Sequence, residues 1–359
     1  MRKMMRIAAM VLAAGMALTA CGGSGSSGTT AAQGSAAAGT TAAAAKPAAS
    51  GEKVEDVYWT VASCPSSSAM YPFWVSLGEA IPSVFPQYKI TVSEGQGAVA
   101  ITKSVRNGDA DLGNSVSATD YENYNGIGNF DGDPFKDDRM LFYYEVTGEM
   151  FCVTKDSGIT KVTDLQGKKF CPGGTGTAAE SISKSILSTF GVDCDLFLAS
   201  QNDSADAYAY REIVGTVKLG PTQDSYVMQL DAAIPIEIID FTDEELDKII
   251  EQMPYLIKVT IPAGTYDGVD HDVHTVGTPQ GCQTTTALSQ QDGYNVCKAM
   301  FDEAKATWQA AYPVGANNDL VALTLSSTVP LHAGTVQYLT EIGVEVPEKL
   351  IPEEYVPVQ

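Results

Sequence analysis

Positive charge is scarce in this chain: 22 lysines and arginines stand against 44 aspartates and glutamates. Three of the basic residues, Arg2, Lys3 and Arg6, sit at the extreme N-terminus. Beyond them 19 remain against 44, a formal −25. So acidic a composition argues against nucleic acid or an anionic membrane surface as the partner. Histidine is scarcer still, with only His271, His274 and His332. No CxxC and no zinc-type spacing occurs. No Gly-x-Ser-x-Gly elbow occurs either, which weighs against a serine hydrolase. His271-Asp272-Val273-His274 has the outline of a metal pair but no Glu partner at zincin spacing, so solvated histidines are expected. Asp131-Gly132-Asp133 fails the calcium-loop template, because Phe135 stands where a third ligand belongs and the sixth position lacks Gly. No metal and no cofactor is expected.

A second long apolar run is also lacking, so any membrane channel must be a separate chain. The first run is short: Ile7 to Met16 follows the basic cluster and leads to Leu18-Thr19-Ala20-Cys21, which looks like a bacterial lipobox. This resemblance implies cleavage before Cys21, lipidation of its thiol, and an extracytoplasmic protein anchored to the outer face of the membrane. Residues 1–20 are then a signal peptide. Residues 21–52 are almost wholly Gly, Ser, Ala, Thr and Gln, a composition that cannot offset its own ordering entropy. They read as a flexible tether. Six cysteines remain: Cys64, Cys152, Cys171, Cys194, Cys282 and Cys297. They permit up to three disulfides and fit buried thiols equally well.

The body from residue 53 repeats strand, small-residue turn and helix, the pattern of an α/β sheet. Val57–Val61, Tyr88–Val92 and Asp111–Val116 read as strands, with helices from Tyr71 and over Ala98–Arg106. Met140–Tyr144 and Met150–Thr154 read as two further strands, and Gly293–Tyr312 as one helix with Val296, Met300, Ala304 and Trp308 on a face. Thr242-Asp243-Glu244-Glu245 resembles a capping box.

One turn is unlike the rest. Cys171-Pro172-Gly173-Gly174-Thr175-Gly176-Thr177 lies between a short strand and a helix carrying Ile182, Ile186 and Leu187. Glycine N–H groups, two hydroxyls and a helix N-terminus favour an anion there. No Gly-Lys-Ser/Thr follows, so this is not a nucleotide P-loop. Three strand-to-helix turns, residues 62–71, 95–97 and 172–177, are expected to face one cleft, since open α/β sheets bind beyond the carboxyl ends of strands. The candidate contacts are Ser67, Ser68, Tyr71, Gln96, Gly97 and Ser117 from one side. From the other come Gly174, Thr175, Gly176, Thr177 and Lys218, with Arg211 a further counter-charge.

Several segments, taken in order, resemble the TAXI branch of TRAP-transporter solute receptors. They are Asn107-Gly108-Asp109-Ala110-Asp111-Leu112-Gly113, Asp156-Ser157-Gly158-Ile159 with Asp164-Leu165-Gln166-Gly167-Lys168, and Gly174-Thr175-Gly176-Thr177. Further on come Pro254-Tyr255, Thr260-Ile261-Pro262-Ala263-Gly264-Thr265-Tyr266 with Gly268-Val269-Asp270, and Pro330-Leu331-His332-Ala333-Gly334. The resemblance covers nearly all of residues 56–343. It implies a type II periplasmic-binding-protein fold: residues 53–153 and 265–359 as lobe one, 154–264 as lobe two, joined by crossing strands. It implies capture of a small organic anion, a carboxylate or amino acid, and delivery to a TRAP membrane subunit, without catalysis. The chain departs from the pattern in its first loop, Ser67-Ser68-Ala69-Met70-Tyr71-Pro72. It departs again in its second, Gln96-Gly97-Ala98-Val99-Ala100-Ile101, and at Val116, where the family often has Gln. An ABC importer or a sensor kinase is the alternative partner, and a secreted hydrolase the alternative class.

Overall fold

The computed structural model describes residues 55–66, 68–95, 97–175 and 177–358. The signal segment, the tether, Cys21, Ser67, Gln96 and Gly176 lie outside the described residues.

The chain opens with β1 (Val57–Ser63), α1 (Tyr71–Val84), β2 (Tyr88–Glu94), α2 (Ala98–Arg106), β3 (Leu112–Val116) and α3 (Ser117–Asn125). β1 pairs in parallel with both β2 and β3, as right-handed strand–helix–strand units require. The long β4 (Asp138–Thr154) follows. A second α/β region holds β5 (Lys169–Phe170), α4 (Ala178–Thr189), β6 (Asp195–Leu196), α5 (Gln201–Ala209) and β7 (Gly215–Gly220). It continues through α6 (Ser225–Ala233), β8 (Ile236–Ile238), α7 (Asp243–Gln252) and β9 (Ile257–Ile261). The chain returns along β10 (Val273–Thr285) and ends in α8 (Gln290–Lys298), α9 (Lys305–Ala311), α10 (Leu320–Leu325) and α11 (Ala333–Glu341).

The fold is mixed α/β with two lobes. Apart from the two-stranded sheet of β5 and β6, their strands share one sheet. β4 and β10 run antiparallel through both, giving the order β2-β1-β3-β10-β4-β7, with β9 on β10 and β8 on β4. Met140–Tyr144 and Met150–Thr154, expected as two strands, are one: β4 pairs with β10 as far as Gly148, opposite Gly277, and runs on from there paired with β7. Hydrophobic packing divides the molecule instead. Trp59, Phe73, Trp74, Leu77, Phe142, Met300 and Trp308 form one core. Phe151, Phe170, Ile182, Ile186, Phe241 and Ile249 form another, with Met150, Tyr208, Tyr226 and Ile236 on the opposite sheet face. Alternation explains the split, because Phe151 and Val153 point to one face of β4 and Met150 and Cys152 to the other.

The expected helix Gly293–Tyr312 is interrupted. Val296, Met300, Ala304 and Trp308 are all buried, but a π-turn over Ala299–Glu303 separates α8 from α9. A stripe spaced every four residues drifts about 40° per step on a 3.6-residue helix. The wide turn, closed by Ala304 N–H donating to Ala299 O at 2.8 Å, takes up that drift. The Thr242–Glu245 capping box is present at the start of α7. All six described cysteines are free thiols, and five of them are buried. Among the described residues no helix is long and apolar enough to cross a membrane.

Candidate functional site

A cleft of about 920 Å³ lies between the two cores. One wall is Gly97 to Ala100 and Lys103 of α2, with Ala118, Thr119 and Glu122 of α3. The other is Thr177, Ala178, Ser181, Ile182 and Lys184 at the start of α4, with Tyr255. Three helices therefore present their first turns to one space. The first N–H groups of a helix have no intrahelical partner, and the dipole makes that end positive. α2 follows Gly97, whose φ of 143° suits glycine, and no side chain caps it. α3 begins after Val116, also uncapped by a side chain. α4 is capped by Thr177, whose hydroxyl accepts from Glu180 N–H at 3.3 Å.

Charge in the cleft is mixed, but the acidic groups are engaged. Glu122 accepts from the Asn129 side-chain amide at 2.8 Å and backbone N–H at 3.2 Å. Glu180 pairs with Lys184 one turn on. Lys103 has no carboxylate within salt-bridge distance among the described residues. Its ammonium lies 5.7 Å from the Phe130 ring centroid. The site thus brings together a lysine with no carboxylate partner among the described residues and the first turns of three helices, two of them without a side-chain cap.

The sequence candidates fall into three groups. Gly97 and Thr177 line the cleft. Ser68, Tyr71, Ser117, Gly174, Thr175 and Lys218 are not among its lining residues. Ser67, Gln96 and Gly176 are outside the described residues. The hydroxyls expected to be offered to a solute are spent inside the protein. Thr175 Oγ1 donates to Ala199 O at 3.1 Å, and Thr177 Oγ1 to Gly174 O at 2.6 Å. Ser68 Oγ accepts from Met70 N–H at 3.3 Å, and Tyr71 packs on the first core. Ser117 Oγ donates to Tyr255 O at 2.8 Å, tying α3 to the far wall, and the Tyr121 and Tyr255 rings meet at 5.6 Å. Lys218 Nζ donates to Gln201 Oε1 at 3.2 Å and lies 3.8 Å from Asp224. Arg211 pairs with Asp156 at 2.8 Å on the surface. His271 lies against Glu237 and Asp270, and His274 against Asp240.

Tyr255, Lys103, Ala118, Thr119 and Glu122 line the cleft and were not among the sequence candidates, although Ser117 beside them was. Tyr255 had a signal in the Pro254-Tyr255 motif. α3 had none, since Ser117–Asn125 carries no apolar stripe. Burial pushes the Tyr255 phenol up to about 12, with Glu122 and Glu149 adding to the shift.

A sequence model of the NMT1-like family matches residues 61–343, most of the chain. The chain belongs to the NMT1-like family. This NMT1-like chain is also similar to several solved structures. The alkanesulfonate-binding protein SsuA of Xanthomonas axonopodis pv. citri, bound to MOPS, is 14% identical; the match covers 84% of this chain and 96% of that one, with a TM-score of 0.42. A TctC solute-binding protein from Polaromonas is 12% identical over 71% and 88%, with a TM-score of 0.49. A TRAP periplasmic solute-binding protein from Roseobacter denitrificans with bound β-D-glucuronate is 10% identical over 80% and 93%, with a TM-score of 0.40.

Proposed function

We propose that this NMT1-like chain is an extracytoplasmic solute receptor that captures a small organic anion between its lobes and hands it to a membrane permease of the TRAP type. The observation that carries this reading is the convergence of the α2, α3 and α4 N-termini on one cleft, with Lys103 unpaired beside them. Among the described residues that line that space none is a His or Cys, and binding is the reading its helix ends and lysine support. The lobes are assigned to residues 53–153 with 265–359, and 154–264, and the hinge to the stretch of β4 and β10 around Gly148 and Gly277, where their ladder ends. The lipid anchor at Cys21 and the TAXI-type permease extend the same reading from the sequence motifs.

A thermal-shift screen of organic acids and amino acids tests it. A ligand that binds only the folded state stabilises by about 2.7 kcal/mol at a hundredfold excess over Kd. At least one acid is expected to raise Tm and to be recovered unchanged. Chemical conversion of the stabilising compound would instead place the chain among enzymes.

A further inference from the structure

The cleft has far more room than a short acid needs. Its volume of about 920 Å³ equals roughly thirty waters. A dicarboxylate or amino acid of about ten non-hydrogen atoms, each given the volume of one water, fills about a third of that. Cavities of this size suit ligands several times larger, held by apolar walls and a few polar groups.

The lining has that character. α2 starts with Ala98, Val99 and Ala100, and all three line the cleft. α3 adds Ala118 in its first turn, and α4 adds Ala178 at its first position and Ile182 one turn on. First turns of helices favour acidic side chains, which answer the dipole. The first turn of α2 has none, and no polar side chain of any kind. Its N–H groups are therefore flanked by methyl groups. The charged and amide side chains of the lining are mostly matched to one another, Glu122 with Asn129 and Glu180 with Lys184. Thr177 spends its hydroxyl on its own turn. Beyond Lys103, the described lining offers the hydroxyls of Thr119, Ser181 and Tyr255, few for so large a space. Tyr255 also brings an aromatic ring to it, steadied by the Tyr121 ring at 5.6 Å. A polar body buried here gives up bonds to water that these walls cannot replace. An apolar body of the same size gains by leaving water.

We propose that the solute is an acid with a bulky apolar body, an arylalkanoate rather than an amino acid or short dicarboxylate, and that Val99, Ala118, Ile182 and Tyr255 select that body. The inference rests on the receptor reading above and names the substrate class of the same site. The carboxylate takes the helix N-termini and Lys103. The ring and its methylenes lie along the walls made by α2, α3 and α4. Alanine at positions 98, 100, 118 and 178 is what leaves width for a ring.

Isothermal titration with propanoate, hexanoate, 4-phenylbutanoate, succinate and L-glutamate tests it, the weaker acids being read by displacement. Affinity is expected to rise about fourfold for each methylene added between propanoate and hexanoate. 4-Phenylbutanoate is expected to bind about tenfold tighter, or more, than succinate or L-glutamate. Ala100→Leu and Ala178→Leu fill the space from opposite walls, at exposed helix positions that leucine suits. Each should cut the ratio of 4-phenylbutanoate to propanoate affinity about tenfold, and either suffices if the other fails to fold. Level affinity from propanoate to 4-phenylbutanoate, tighter binding of succinate or L-glutamate, or an unchanged ratio in the folded variants each overturns the inference and leaves the receptor reading standing. Failure of every acid overturns the receptor reading itself, and this inference falls with it.

Discussion

Thr177 caps α4 and closes the turn below it, so its hydroxyl serves the fold before it serves a solute. Thr177→Val is expected to cost about 1 kcal/mol of stability, read by urea unfolding, which is the usual loss for an N-cap hydroxyl. The strand–turn–helix at residues 171–189 was legible because glycine and threonine before an apolar periodicity have a local physical meaning. That Thr175 turns inward was not legible, because Ala199 O is brought to it by chain folding, whereas Thr177 bonds to Gly174 O inside the motif itself. A second residue-scale feature lay wholly outside the sequence reading. Asp120 and Asp138 are buried together under α3, Tyr143 OH donates to Asp120 at 3.2 Å, and Asn123 donates to Asp138 at 3.0 Å. Burial first raises both carboxyls, and the Asp138 charge raises Asp120 further. A folded carboxyl with a raised pKa binds protons that the unfolded chain has released, so its stabilisation holds below about pH 4 and is lost as pH rises through the folded value. His332 acts in the opposite sense. Burial lowers its pKa, so its contribution is present above about pH 6.5 and is lost as pH falls through the folded value. Asp120→Asn should therefore flatten the fall in stability between pH 5 and pH 8, seen in urea midpoints at each pH. An unchanged slope would show that the pair is not the source.

At the scale of elements, β4 and β10 do most to shape the molecule, and they were the least well read. Gly148 lies in the gap left between the two strands expected at Met140–Tyr144 and Met150–Thr154. It is the place where two antiparallel strands cross at close range, paired with Gly277. The two glycines differ in their surroundings. A Cβ at Gly277 would lie 2.6 Å from Thr147 O, whereas a Cβ at Gly148 would meet nothing nearer than 3.7 Å. Gly277→Ala is expected to destabilise by about 1–3 kcal/mol through overpacking, and Gly148→Ala by about 0.5 kcal/mol or less. Denaturant midpoints of the two variants compare them directly, and equal effects would contradict the crossing geometry. α3 escaped the sequence for the opposite reason. Ser117–Asn125 is mostly polar, and buried contacts from Asp120 and Asn123 hold it without an apolar stripe.

Across the whole molecule, the α/β class and the order of strands and helices were legible because each unit repeats the same local grammar of buried strand, small turn and amphipathic helix. The cleft was legible only as a location. Its walls depend on how the two cores meet, and that follows from the pairing of β4 with β10 between Asp138 and Gly148, from where β4 goes on with β7 and β10 with β9. One hydrogen bond, from Ser117 to the Tyr255 carbonyl, spans the cleft and favours the closed arrangement. Ser117→Ala removes a contact worth about 1 kcal/mol and should weaken binding of a stabilising acid about fivefold. Isothermal titration reads it, and unchanged affinity would deny Ser117 a part in closure. The Cys21 anchor is tested by fractionation: Cys21→Ala is expected to leave the protein soluble or unprocessed, and a mature variant that still partitions with membranes would contradict lipidation. The measurement that bears most directly on the central claim is a crystal structure with the acid that stabilises the protein most. The account predicts its carboxylate among the first N–H groups of α2, α3 and α4, near Lys103. A carboxylate seated away from those helix ends would contradict it.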